Sequence, residues 1–193
     1  MARISPLAKA DWSAEMTTFI DGFRTAVLGD AVNDDRPAGA NLLGTFARHP
    51  ALAKAFLTFN GHLLYGSTLS ARQRELLVLR VATVQQSDYE WAQHVSLAED
   101  AGLRPEEIAR IVKGPQAPEW SSAERSLLAA ADELLADGVV SGDTWRDLAR
   151  EFTDQQLMDL VFTVGTYGLM AMALRSFDVT PDPDLVRYLP GGR

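Results

Sequence analysis

Apolar residues recur at three- and four-residue spacing along nearly the whole chain, and no stretch alternates apolar with polar as a half-buried strand does. The pattern predicts an all-α protein of about eight helices in one domain, residues 1–193. A first helix is expected over 11–28. The segment GDAVNDDRPAGANL, 29–42, is rich in turn-forming residues and reads as a loop. A short helix over 42–48 stops ahead of His49-Pro50, because proline disfavours helical geometry in the residue before it. The next runs over 51–65, interrupted late by Gly61. Ser70 opens a helix whose stretch LLVLRVATV, 76–84, is apolar nearly all round, the mark of a centrally packed element. Another begins at Ser87 or Asp88, either able to cap it, and ends at Gly102. Pro105 with Glu106 and Glu107 starts a helix over 104–112. Helices over 121–136, 141–152 and 154–177 complete the set. The tail, DVTPDPDLVRYLPGGR at 178–193, contains three prolines and is expected to extend along the surface or across a neighbouring subunit.

One polar group disturbs this pattern. Placed on a helix at about 100° per residue, Trp91, Val95, Leu97, Ala98 and Ala101 gather on one side, while Asp88, Gln93, Ser96, Glu99 and Asp100 take the other. Ser87, Glu90 and His94 fall near the middle of the apolar stripe, with Glu90 and His94 as i,i+4 neighbours. Burying a carboxylate and an imidazole costs desolvation that partners must offset. Burial and pairing pull their titration in opposite directions, toward the range where acid–base chemistry operates. Such a pair also serves simply to pin two helices together. Glu75 adds a third polar group, as the one acid of the central helix; its own simplest role is a first-turn acid favoured by the helix dipole or a partner of Arg80.

Composition narrows the chemistry. With 18 Lys+Arg against 26 Asp+Glu the formal net charge is −8, the wrong sign for nucleic acid or an anionic membrane surface. There is no cysteine, and so no disulfide, thiol nucleophile or thiolate ligand. The uncharged stretch LVFTVGTYGLMAMAL, 160–174, falls short of the roughly 20 residues of a membrane span and reads as a buried or subunit-interface helix. The N-terminus lacks the apolar run of a signal peptide, which leads us to expect a cytoplasmic protein. Three histidines with no close pair give too few ligands for a metal site, and no cofactor is expected.

The segment 61–111, with R-x-x-E-L-x-x-L-R from Arg72, YEW-x-x-H from Tyr89 and AGL-x-x-E-E-I from Ala101, resembles the core of the carboxymuconolactone decarboxylase family, which includes the AhpD-like alkylhydroperoxidases. The resemblance extends through NLLGTFARHPAL upstream and QLMDLVFTVGTYGLMAMAL downstream, covering about 41–177. The AhpD-like branch implies a Glu followed by Cys-x-x-Cys-x-x-x-His. Its Glu and His correspond to Glu75 and His94, and its two cysteines to Ser87 and Glu90. The thiol mechanism thus has no thiol here, and the resemblance points to the decarboxylase side, where protons rather than electrons move. It implies a small carboxylated or lactone-like substrate, with His94 as acid/base, Glu75 as its orienter and Glu90 as a second acid/base. Ser87, Tyr89 and Trp91 are the expected pocket wall, and Arg80 or His62 the expected anchor for a substrate anion. Tyr167 is a candidate for the same pocket or for core packing, His49 for a helix C-terminus without chemistry, and Met170 and Met172 for core filler. The family also implies self-association to a homotrimer or hexamer. The alternative is a non-catalytic oligomeric binding or scaffold protein that keeps the fold and uses Glu75, Glu90 and His94 as a structural network.

Overall fold

The computed structural model describes residues 2–28 and 39–189 of the chain. The described residues form nine α-helices and no strand: α1 Ala14–Leu28, α2 Ala40–Phe46, α3 Pro50–Gly61, α4 Ala71–Val84, α5 Asp88–Asp100, α6 Pro105–Lys113, α7 Ser122–Asp137, α8 Gly142–Glu151 and α9 Asp154–Phe177. Most of the expected 29–42 loop lies outside the described residues.

The starts of these helices follow from short polar signals. Ser70, Ser121 and Thr153 each accept a hydrogen bond from the backbone N–H three residues on, and Gln73, Glu124 and Gln156 reach back to complete capping boxes. Gly102, Gly114 and Gly138 take positive φ after α5, α6 and α7, where a side chain would be strained. α4 is the axis of the molecule. Leu76 to Leu79, Val81 and Ala82 are fully buried, as its all-round apolar sequence requires. On one side Leu77, Val78 and Val81 pack with Leu127, Ala131, Leu160 and Val164 of α7 and α9. On the other, Leu76 and Leu79 meet Trp91, Val95, Ile108, Ile111 and Trp120 around α5 and α6. Met16, Ile20, Ala53 and Leu57 join α1 to α3 in a smaller cluster. Here Gly61 allows contact: a Cβ at this position would lie 2.6 Å from the Phe23 ring.

Several expectations are corrected. The second helix begins two residues early and ends at Phe46. His49 belongs to the next helix instead, capping α3 by accepting the Leu52 N–H at Nδ1 (3.3 Å), with Pro50 at the first helical position. The expected helix over 51–65 ends at Gly61, and His62–Gly66 continues as one π-helical turn. Of the two courses expected for the tail, its described part, 178–189, follows the one along the body. Leu185 is fully buried, Asp182 Oδ1 accepts the Asn41 N–H at 2.9 Å, and the Tyr188 carbonyl accepts the Trp91 indole N–H at 3.0 Å.

α9 has two faces. Its apolar 18-residue window has mean hydropathy 1.6 and is 61% buried in the protein, so its length reflects the core it crosses. Met158, Phe162, Leu169 and Met172 nevertheless each remain more than half exposed, at spacings of four, seven and three. Met170 is core, whereas Met172 is not the filler its neighbour suggested.

Candidate active site

The turn from α4 to α5 builds the site. Gln86 takes a left-handed φ of 53°, and Ser87 N–H donates back to the Ala82 carbonyl at 2.9 Å, closing α4 and launching α5 across it. This places His94, two turns into α5, against Glu75, one turn into α4. His94 Nδ1 and Glu75 Oε2 lie 2.7 Å apart, both buried. Arg74 Nε donates to the other carboxylate oxygen at 3.1 Å. His94 thus meets the carboxylate through Nδ1, and Nε2 is the ring nitrogen that Glu75 does not hold. The Tyr167 ring of α9 stands edge-on to the imidazole, with centroids 5.0 Å apart and planes at 88°. Burial, then the neighbouring Glu75 charge, raises the Tyr167 phenol well above its ordinary range, so it keeps its proton.

Glu90 has a different environment. It is 3% exposed, and neither carboxyl oxygen has a hydrogen-bond partner. Desolvation lifts its pKa to about 8, and the nearby Ser87 tempers the rise without reaching hydrogen-bond geometry. Glu90 therefore carries a proton at neutral pH. Ser87 stands at the helix N-cap position but does not cap; its hydroxyl is also buried and unpartnered. Among the described residues five buried side-chain atoms lack a partner, and three belong to Ser87 and Glu90. A fourth, Thr163 Oγ1, lies one turn before Tyr167 on α9; its one signal in the sequence is a threonine inside an apolar helix.

The structure thus brings Glu75, His94 and Tyr167 together, with Glu90 one helical turn before His94 and Ser87 beside Glu90. It removes four other candidates. Arg80 grips Asp132 through Nε and Nη2 at 2.5 and 2.8 Å and donates to the Ile111 and Val112 carbonyls, so its guanidinium is spent tying α4 to α6 and α7. The His62 side chain is 59% exposed and faces Asp159 at 3.7 Å, on the surface. Tyr89 donates its hydroxyl to Asp182 Oδ2 at 3.2 Å and packs with Met170, Leu174 and Val179. Trp91 lies in the core beside α6, its N–H committed to the tail. Arg74, which no sequence argument singled out, supplies the charge that Arg80 does not. No three His, Asp or Glu side chains converge to hold a metal among the described residues.

The model of the Carboxymuconolactone decarboxylase family matches residues 50–133, the span that contains Glu75, Ser87, Glu90 and His94. Comparison with curated proteins gives no match. Among solved structures, the chain is similar to an uncharacterised peroxidase-related protein with an alkylhydroperoxidase AhpD core from Ralstonia eutropha JMP134, at TM-score 0.71 and 20% identity over 88% of this chain and 90% of that one. A peroxidase-related protein from Silicibacter sp. TM1040 superposes at TM-score 0.76 with 16% identity, covering 95% and 93%. The debrominase Bmp8 superposes at TM-score 0.76 with 13% identity, covering 96% and 95%; a cysteine-to-alanine variant of it is known in complex with 2,3,4-tribromopyrrole. At such identities the likeness is one of fold. The chain is a cysteine-free protein of AhpD-like fold whose residues 50–133 match the model of the Carboxymuconolactone decarboxylase family.

Proposed function

We propose that the protein is an acid–base enzyme of the carboxymuconolactone decarboxylase type, acting without a cofactor on a small carboxylated or lactone-like substrate. The observation that carries this reading is the pairing of His94 with Glu75 at 2.7 Å, with a protonated Glu90 one turn away on α5. Decarboxylation needs little more. The carbon–carbon bond to the carboxylate breaks, carbon dioxide leaves, and the electron pair passes into the conjugated lactone. One proton must then reach carbon. Glu90 holds that proton at neutral pH, and His94 Nε2, fixed by Glu75 and Arg74, returns a proton from solvent afterwards. Tyr167, still a phenol, stands edge-on to the imidazole. An isomerisation uses the same two groups, one removing a proton and the other delivering it.

The test is turnover of a panel of carboxylated lactones by the wild-type protein beside His94→Ala and Glu75→Gln. Loss of 10²- to 10⁴-fold in rate with an unchanged circular dichroism spectrum is expected. Equal rates in wild type and both variants would remove the assigned roles. The scaffold reading draws its support from the α9 face of Met158, Phe162, Leu169 and Met172, which suits a second copy of the chain. Self-association to a trimer or hexamer through that face is compatible with either reading, and light scattering that returned a monomer would discard it.

A further inference from the structure

A cavity lies apart from the acid–base cluster and shares no residue with it. It has a volume of about 170 Å³ and lies between α2, α9 and the segment that precedes α1. Leu42, Phe46, Met170, Leu174, Phe177 and Val179 form its inner wall. Thr45, also on the wall, has its hydroxyl turned to the Asn41 carbonyl at 2.8 Å and offers the cavity only its methyl group. Ile4 closes one side, tied down because the backbone N–H groups of Arg3 and Ile4 donate to the Phe177 carbonyl at 2.9 and 3.2 Å. The interior is therefore apolar, and no acidic residue lines it in a protein of net charge −8.

Its exposed edge is different. Arg48 and His49 line the cavity and are both exposed to solvent. Arg48 uses Nε on the Ser5 carbonyl at 2.6 Å, which orients the guanidinium and leaves its terminal N–H groups available; no carboxylate pairs with it among the described residues. His49 accepts the Leu52 N–H at Nδ1, so its proton sits on Nε2 as an outward donor. Two donors, one a fixed positive charge, thus border an apolar chamber. The chamber is comparable to an apolar cavity of about 150 Å³ that takes up benzene.

We infer that this chamber binds a small apolar carboxylic acid, a monocyclic aromatic or medium-chain alkyl carboxylate, with its hydrocarbon inside and its carboxylate on Arg48 and His49. A lactone bearing several oxygens fits poorly, because the inner wall gives them no hydrogen bonds. The site is thus distinct in ligand as well as in place from the acid–base cluster, and does not depend on the function proposed for it.

The experiment is methyl NMR of Met170 during titration of the intact protein with hexanoate, benzoate and 1-hexanol. Both acids should shift the Met170 methyl saturably with dissociation constants below about 1 mM, and 1-hexanol should bind about tenfold more weakly. Arg48→Met should weaken hexanoate about tenfold. Ala173→Phe should abolish binding by filling the chamber. His94→Ala should bind as the wild type does. Absence of a saturable Met170 shift with either acid would overturn the proposal, as would binding that survives Ala173→Phe. Equal affinity for hexanoate and 1-hexanol would remove the carboxylate from it, and loss of binding in His94→Ala would place the acid in the catalytic cluster instead.

Discussion

Two polar networks grow from the same helix, and they are built on opposite principles. At the start of α4, Arg72 donates to Glu107 of α6 at 2.5 Å and to Glu124 of α7 at 2.7 and 2.9 Å, and Glu107 also accepts the Arg104 backbone N–H at 3.0 Å. One turn further on, Glu75 meets His94 and Arg74, but Glu90 and Ser87 beside them leave three buried atoms without partners. The first network closes its valences and fastens three helices. The second keeps some open, at the cost of desolvated groups that a purely structural cluster would have satisfied or replaced with hydrocarbon. Their protons report the same contrast. The Arg72 hydrogen bond is the main influence holding Glu107 down at about 2, whereas burial pushes Glu90 up to about 8.

The contrast is sharpest in activity. His94→Ala and Glu75→Gln are expected to cost 10²- to 10⁴-fold in turnover, while Arg72→Met leaves the rate of the folded protein within a few-fold of wild type. Steady-state kinetics on the three proteins checks this.

Next comes stability against pH. Between its unfolded value of 4.5 and its folded value of about 8, Glu90 keeps a proton in the folded chain that the unfolded chain releases. Its contribution is therefore fully present below pH 4.5 and is lost as pH rises to about 8, by on the order of 5 kcal/mol. Glu107 behaves in reverse: its contribution is present above pH 4.5 and lost as pH falls toward 2. Urea denaturation of Glu90→Gln across pH 5 to 9 should lack the alkaline decline of the wild type. A decline of equal slope in the variant would take Glu90 out of the account.

Arg72→Met follows, with an expected loss of about 3 kcal/mol, since it strands Glu107 and Glu124 without their shared partner. The smallest effect separates two serines at equivalent helix positions. Ser121 caps α7 and bonds Glu124, so Ser121→Ala should cost about 1 kcal/mol. Ser87 stands at the same position of α5 without capping, so Ser87→Ala should change stability by less than about 0.5 kcal/mol. Thermal melts of the pair decide whether Ser87 is held in place for packing or left open for a ligand.

The sequence made much of this visible because its signals are local. Ser70 at the start of α4, the all-round apolar α4, Gly102 after α5 and Pro105 at the start of α6 lie within a few residues of what they determine. The clustering of Ser87, Glu90 and His94 followed from one helix period. Arg80, His62, Tyr89 and Trp91 were misplaced because their partners come from far along the chain: Asp132, Asp159, Asp182 and the Tyr188 carbonyl. Helical periodicity tells which way a side chain points but not which distant group it meets. The same limit hid Arg74, whose role depends on how α5 presents His94 to Glu75, and it left the course of the proline-containing tail open between the surface and a neighbouring subunit.

The protonation state of Glu90 tests the central claim most directly. Infrared difference spectra of wild type against Glu90→Gln should show a protonated carboxyl band at pH 7 that converts to carboxylate near pH 8. A Glu90 already ionised at pH 7, titrating near 4.5 as an ordinary exposed glutamate does, would contradict the account.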